Sequence, residues 1–218
     1  MKEDILLNTM LFHGLSDSEL PECLTSLSAQ EKTYRKGAFI FHAGDLTDHM
    51  GLVLSGSVTI ESNDFWGNRT ILSYVGKGQI FAETYALLPY EVLLVDVRAN
   101  DNCRIVFMKI GNIPDLHKDL PLWRIKLIRN ILNISVHKNL ALSGRSFHTA
   151  PKSARGRILA YLNTVALQNH SQEFDIPFDR QQLADYLNLE RTNMSKELTK
   201  MREEGLIECK KNHFKLIT

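Results

Sequence analysis

Arg191, Thr192, Ser195, Lys196 and Thr199 fall within a stretch of helical apolar period, and their types suit recognition of duplex DNA. On a wheel of about 100° per residue, Thr192, Lys196 and Thr199 point away from the apolar line of Met194, Leu198 and Met201. Arg191 lies to one side, in the first turn, where a long side chain can swing forward to a base edge in a major groove. A guanidinium can take both acceptors of a guanine, an ammonium can take a base or a phosphate, and hydroxyls can serve either. Arg191 and Lys196 are therefore the leading readers, with Thr192, Ser195 and Thr199 beside them.

Such a helix must be held by others. Leu183, Ala184 and Leu187 give a preceding short helix its own apolar face, and Asn188 between the two tolerates the left-handed backbone of a sharp turn. Gly205 ends the second helix. Leu206 to Cys209 and Phe214 to Ile217 then read as strands around a polar turn, Lys210 to His213. The pattern predicts a winged helix-turn-helix. A solvated amphipathic helix is the plainer reading of the second helix alone, but the turn Asn, the two short helices and the wing occur together. Glu190 departs from the pattern, since Ser, Thr, Asp or Asn would cap that helix better.

The chain of 218 residues suits two small domains, and its net charge of +1 leaves DNA contact to local patches. From residue 150 onward 11 Lys and Arg face 9 Asp and Glu, a small excess of the required sign. Cys23, Cys103 and Cys209 are isolated, with no C-x-x-C pair for a metal or dithiol, so reduced thiols in a cytoplasmic protein are expected. No secretory signal is apparent and no apolar stretch approaches a membrane span, so no membrane partner is expected.

In chain order, residues 4–29 read as short packing helices, with Ser16 and Glu19 forming a capping box. From Glu31 to Lys109 short β-rich runs take over, at 38–41, 51–54, 57–60, 70–75, 93–97 and 103–108. Gly37, Gly44, Gly56, Gly67, Gly76 and Gly78 fall at their ends, which predicts a sandwich or barrel. Between Pro114 and Arg145 the helical period returns, and Ile125, Ile128, Leu132, Ser135, Asn139 and Leu142 form a heptad seam. Dimerisation is favoured over packing on the chain's own β domain, because a two-fold axis would supply a second DNA half-site. Ser143-Gly144-Arg145 and His148 to Pro151 read as a break. The expected domains are a β-roll with N-terminal helices at 1–112, a long dimerisation helix at 113–145 and a winged helix-turn-helix at 146–218. A further helix with Ile158, Leu159, Leu162, Val165 and Ala166 on its apolar face opens the last of these, and 171–178 is strand-like.

This order of parts resembles the Crp/Fnr superfamily of bacterial transcription regulators over nearly the whole chain. Met50 to Val58 resembles the family's "y-x-v-x-x-G-x-v" strand pair, and Gly76 to Glu83 resembles "G-x-G-x-x-F-G-E". Leu183 to Ile207 carries the third likeness. The resemblance implies an α+β protein: a double-stranded β-helix roll like a cyclic-nucleotide-binding domain, a long dimerisation helix and a winged helix-turn-helix. The implied partners are double-stranded operator DNA, a second copy of the chain and RNA polymerase. By position, Arg191 and Lys196 match two recognition-helix residues that read guanines in cAMP-responsive members, whereas Thr192 stands where Glu is common. A different half-site is therefore expected.

The effector region departs further. Cyclic-nucleotide binders follow Phe-Gly-Glu with an Arg-Ser or Arg-Thr pair that holds the phosphate, but here Phe81-Ala82-Glu83 is followed by Leu93-Leu94. A buried phosphate without its Arg loses a charge-assisted fork. Neither cAMP nor cGMP is expected, no cofactor is predicted, and the effector is unknown. Arg98 is a nearby cation that could replace the missing Arg, although strand alternation gives it no assured inward direction. Glu83, Thr84, Tyr85, Leu93 and Leu94 are the candidate pocket residues, each with core packing or surface as its plainer role. The Fnr-type cysteine cluster is absent.

Two other readings compete. His42 and His49 lie in the β region, but no H-x-H with a spaced Glu supports a cupin-like metal enzyme, and no catalytic motif supports another class. No metal site and no enzyme is expected. The second alternative keeps the fold but makes the regulator independent of any effector.

Overall fold

The computed structural model describes residues 3–63, 69–88, 90–111 and 120–217. Gly67, Pro114 and the expected domain boundary at 112 and 113 lie outside the described residues. The chain forms two compact units, Met1–Val136 and His137–Thr218.

The first unit opens with α1 (Glu3–Leu7) and α2 (Glu19–Ser26). The Ser16 backbone N–H donates to the Glu19 carboxylate at 2.8 Å and Glu19 N–H donates back to Ser16 Oγ at 3.3 Å, the expected reciprocal pair. The strands are β1 (Gln30–Tyr34), β2 (Phe39–Phe41), β3 (His49–Ser55), β4 (Val58–Asn63), β5 (Arg69–Val75) and β6 (Ile80–Phe81). After α3 (Glu83–Leu87) come β7 (Asp96–Ala99) and β8 (Cys103–Lys109). They pair antiparallel in two sheets, ordered β1-β8-β3-β6 and β2-β7-β4-β5.

The inner strands β8 and β3 of the first sheet are buried on both faces, which is why β3 reads as a nearly continuous apolar run. Strand alternation sends Met50, Leu52, Leu54, Val106 and Met108 toward the helices. Val53, Ile105 and Phe107 go to the interior between the sheets, where Val58, Val75, Phe81, Val97 and Ala99 meet them. Phe41, Phe81 and Phe107 stand edge to face there, with centroids 5.8 to 6.3 Å apart. Gly51 pairs with both Phe81 and Phe107, and a methyl group on it would collide with the Phe81 ring.

Helix α4 (Leu122–Thr149) differs from expectation in its end. It runs through Ser143-Gly144-Arg145, because one interior Gly costs a helix only about 1 kcal/mol. The chain leaves it at Ala150, just before Pro151. The run expected at 93–97 also shortens, its strand beginning only at Asp96. On α4, Trp123, Leu127 and Ile131 join the core of the first unit, and Asn130 Nδ2 donates to Leu11 O at 2.9 Å and His13 O at 2.8 Å. Lys126 pairs with Glu19 at 2.7 Å. Of the heptad residues, Ile128 is half-buried against that core, Ser135 is half-buried, and Ile125, Leu132, Asn139 and Leu142 are exposed.

The second unit contains the end of α4, then α5 (Ala154–Asn169), β9 (Glu173–Asp175), α6 (Arg180–Tyr186), α7 (Arg191–Glu203), β10 (Ile207–Lys210) and β11 (His213–Leu216). Ile158, Leu162, Leu183, Ala184, Leu187, Met194, Leu198 and Met201 form its core, with Ile207 and Phe214 closing it from the sheet. The three strands are ordered β10-β11-β9, so the segment at 171–178 supplies the third strand of the wing. No helix among the described residues is long and apolar enough to cross a membrane.

Candidate DNA interface and effector region

Helix α6 starts at a capping box: Gln182 N–H donates to Asp179 Oδ1 at 2.8 Å, and Asp179 N–H donates to Gln182 Oε1 at 2.9 Å. Asn188 after it has φ of 51°, the left-handed turn expected of it. Two arginines grip this turn. Arg145 Nε donates to Tyr186 O at 3.0 Å and its Nη2 to Asp185 O and Asn188 Oδ1 at 3.1 and 3.2 Å. Arg157 Nη1 donates to Leu187 O and Asn188 O at 3.2 and 2.9 Å. The last carbonyls of α6, which have no partner inside the helix, are thus capped by cations, the sign a helix C-terminus favours.

Met194, Leu198 and Met201 of α7 are buried, and Arg191, Thr192, Ser195, Lys196 and Thr199 are all exposed. The five therefore share the open part of one helix. Thr199 Oγ1 donates to Ser195 O at 3.1 Å, which leaves its oxygen free to accept from a partner. Glu190 is the N-cap residue and makes no side-chain cap bond, as its type implies.

Two acids, Glu197 of α7 and Glu204 just after it, are held to one flank. Arg155 on α5 contacts Glu197 at 2.6 Å and takes both oxygens of Glu204 at 2.7 and 2.8 Å. Those bonds hold the Glu204 carboxyl below its ordinary range and raise Arg155. The other flank carries a cleft of about 280 Å³ lined by Arg180, Ser195, Leu198, Thr199, Arg202, Cys209 and Lys211. Arg180 lies over the Phe214 ring at 5.0 Å, and its Nη1 is buried without a hydrogen-bond partner among the described residues. Arg180, Arg202 and Lys211 escaped the sequence reading because they lie on three elements. Only the fold reveals that a helix start, a helix end and the wing turn converge.

In the β-roll, Ala82 has φ of 62°, keeping a left-handed backbone where the resembling motif has Gly. Holding Ala there costs about 1–2 kcal/mol. Of the pocket candidates, Glu83 is buried, Thr84 is exposed and Tyr85 is half-buried. Leu93 is 1% exposed and Leu94 74%, so adjacent residues face opposite environments. Leu94 N–H donates to Tyr85 Oη at 3.4 Å, and Leu93 pairs with Gly44 and Asp45 through backbone bonds of 2.7 and 2.8 Å. The structure brings Tyr85 and Leu94 together. Arg98 Nε donates to Gly37 O at 3.0 Å and its guanidinium lies 5.3 Å from the Phe39 ring centre. His42 stacks on Phe39 from 4.6 Å, and His49 pairs with Asp48. Among the described residues no group of three His, Cys, Asp or Glu is placed to hold a metal ion.

Residues 31–119 match the cyclic nucleotide-binding domain family, and residues 156–218 match the Crp-like helix-turn-helix domain family. The chain is 27% identical over 197 residues to the cyclic AMP receptor protein of Thermus thermophilus, covering 90% of this chain and 87% of that protein. The crystal structure of the Thermus thermophilus catabolite activator protein matches with 25% identity and a TM-score of 0.50, over 96% of this chain and 94% of that one. The c-di-GMP-responsive regulator CLP of Xanthomonas campestris shares the fold at 19% identity and a TM-score of 0.58, over 93% and 100% of the two chains. A β-roll of the cyclic-nucleotide-binding type, a long helix and a Crp-like helix-turn-helix in this order make the chain a member of the Crp/Fnr family of DNA-binding transcription regulators, not an enzyme.

Proposed function

We propose that the protein is a homodimeric, sequence-specific regulator that reads one operator half-site with α7 of each protomer and is controlled by an effector other than a cyclic nucleotide. The observation that carries the DNA reading is the exposed row of Arg191, Thr192, Ser195, Lys196 and Thr199, with Glu197 and Glu204 drawn aside by Arg155. Arg180, Arg202 and Lys211 extend the basic surface toward the wing and suit backbone phosphates. The exposed heptad residues Ile125, Leu132 and Leu142 support a second copy on α4. RNA polymerase is the further partner of such a regulator.

The test is selection of bound duplexes from a random pool, followed by Arg191→Ala on the selected site. Loss of a bidentate Arg–guanine contact is expected to cost about 1–3 kcal/mol of discrimination. In an anisotropy titration the variant's preference for the selected over a scrambled duplex should fall by about 5- to 150-fold. Full retention of the preference would refute Arg191 as a reader.

The effector reading rests on Leu93-Leu94, where the family's cyclic-nucleotide binders carry Arg-Ser or Arg-Thr. Arg98 is committed to Gly37 O and Phe39, and the buried Leu93 side chain offers a phosphate no charge or donor. The Thermus thermophilus relative is named for cyclic AMP and CLP for c-di-GMP; this chain is expected to respond to neither cAMP nor cGMP. A ligand of the native state at a hundred times its Kd adds about 2.7 kcal/mol, which a thermal melt detects. No shift is expected with millimolar cAMP or cGMP, and a clear one overturns this reading. One alternative is a regulator that needs no effector, supported by the Phe41–Phe81–Phe107 packing between the sheets, and DNA affinity unchanged by cell extract would select it.

A further inference from the structure

His148, in the last turn of α4, is 5% exposed, yet both ring nitrogens are hydrogen-bonded. Nδ1 lies 2.9 Å from the Tyr186 hydroxyl on α6, and Nε2 lies 2.9 Å from Thr164 Oγ1 on α5. These partners determine where the protons are. Thr164 donates its one hydroxyl proton to Ala160 O at 3.0 Å, so toward His148 it can only accept. Nε2 therefore carries a hydrogen, and with the ring neutral Nδ1 accepts from the Tyr186 hydroxyl.

The surroundings oppose a second proton. The ring stands edge to face on Tyr161 of α5, with centroids 5.4 Å apart, and 5.8 Å from the Tyr186 ring of α6. From α4 itself Arg145 brings its guanidinium to 5.6 Å over that same Tyr186 ring. Arg157 of α5 is committed to the turn carbonyls, and the Asp185 carboxylate of α6 accepts from Gln181 at 2.9 Å. Among the described residues no carboxylate is hydrogen-bonded to His148 to compensate an imidazolium. Burial accordingly holds this His below its ordinary pKa. Protonating Nδ1 would make both nitrogens donors, turn the Tyr186 proton out of its bond and place a cation beside Arg145.

Tyr186 is also where Arg145 grips α6, and α6 leads through Asn188 directly into α7. We propose that His148 is an acid-releasable positioning residue: neutral, it fastens α6, and with it the DNA-reading helix, to the end of α4, and protonated, it lets them go. This rests on the reading of α7 as the DNA-reading helix. With the folded pKa depressed, the fastening is complete above the unfolded value of about 6.5 and is lost as pH falls through the folded one. His213 on the wing has the opposite sign. Asp175 and Glu173, 3.0 and 3.2 Å away, raise its pKa, so its strap holds at low pH and loosens as pH rises. Protonating an ordinary surface His near DNA would strengthen binding, so a loss on acidification is diagnostic.

The experiment measures affinity of the full chain for its selected duplex from pH 8 to pH 5 at constant ionic strength, for wild type, His148→Gln and His213→Gln. The wild type and His213→Gln should lose up to about tenfold in affinity per pH unit per protomer below the His148 pKa. His148→Gln should lack this acid loss. NMR titration of the His148 ring in the wild type supplies a reading independent of whether the variant folds, and its midpoint should lie below 6.5 and track the affinity loss. A flat wild-type profile, an identical profile in His148→Gln, or a midpoint at or above 6.5 overturns the proposal. Arg191→Ala at pH 7.5 tests the α7 reading separately: if that variant loses preference while the wild-type profile is flat, only the His148 proposal fails.

Discussion

Leu132→Asp combined with Val136→Asp is expected to convert the protein to a folded monomer and to weaken operator binding by about 10²–10⁴-fold. That factor is the usual gain from linking two binding modules, and it vanishes when the second half-site must be found independently. Both positions are more than half exposed on α4 and one helical turn apart, so the carboxylates would be solvated in the monomer. Across a two-fold seam the same carboxylates would face their copies and lose their water. Ile128 is a poorer target although it belongs to the same heptad series, because it packs against the core of the first unit and Asp there would also disturb the fold. Sedimentation velocity reads the result, with circular dichroism as the check on folding. A double variant that remains dimeric would rule out this face as the seam.

Gly51→Ala should lower stability by about 3 kcal/mol, toward the upper end for overpacking. The added methyl group meets the Phe81 ring from within van der Waals contact, and that ring is braced by Phe41 and Phe107, so it has no free direction in which to move. Gly76→Ala is the matched comparison, since its nearest neighbour would be Gln79 Oε1 at 3.8 Å, the end of a flexible side chain. A change within about 1 kcal/mol is expected there. Urea unfolding midpoints distinguish the two. Equal midpoints would mean that the phenylalanine cluster can yield.

Much of this architecture was legible because its parts are locally consistent. The apolar steps of Met194, Leu198 and Met201, the turn at Asn188 and the stop at Gly205 all state the helix-turn-helix within a few residues. What escaped depends on distant partners. Strand β1, Gln-Glu-Lys-Thr-Tyr, carries almost no apolar signal and is a strand because Gln30 to Tyr34 pair with Phe107 to Cys103. Helix α3 follows a residue forced left-handed at Ala82, which propensity does not foresee. Gly144 looked like a stop, yet the flanking turns of α4 carry the helix across it. At the site, the α7 face was readable from its period. The convergence of Arg180, Arg202 and Lys211, and the enclosure of His148 between Tyr186 and Thr164, require tertiary structure.

The length of α4 governs how the protein can be dissected. Its first half supplies Trp123, Leu127 and Ile131 to one core, and its last turns supply Arg145 and His148 to the other unit. A fragment that begins at the visible break, Ala150 to Ser153, would therefore discard two of the groups that hold Tyr186. It would leave the hydroxyl of Tyr186 without His148, the ring of Tyr161 without one of its three aromatic neighbours, and the helix-turn-helix without one of its two arginine caps. The cleavage point that respects the side-chain packing lies at 136 and 137, inside a continuous helix where no loop advertises it.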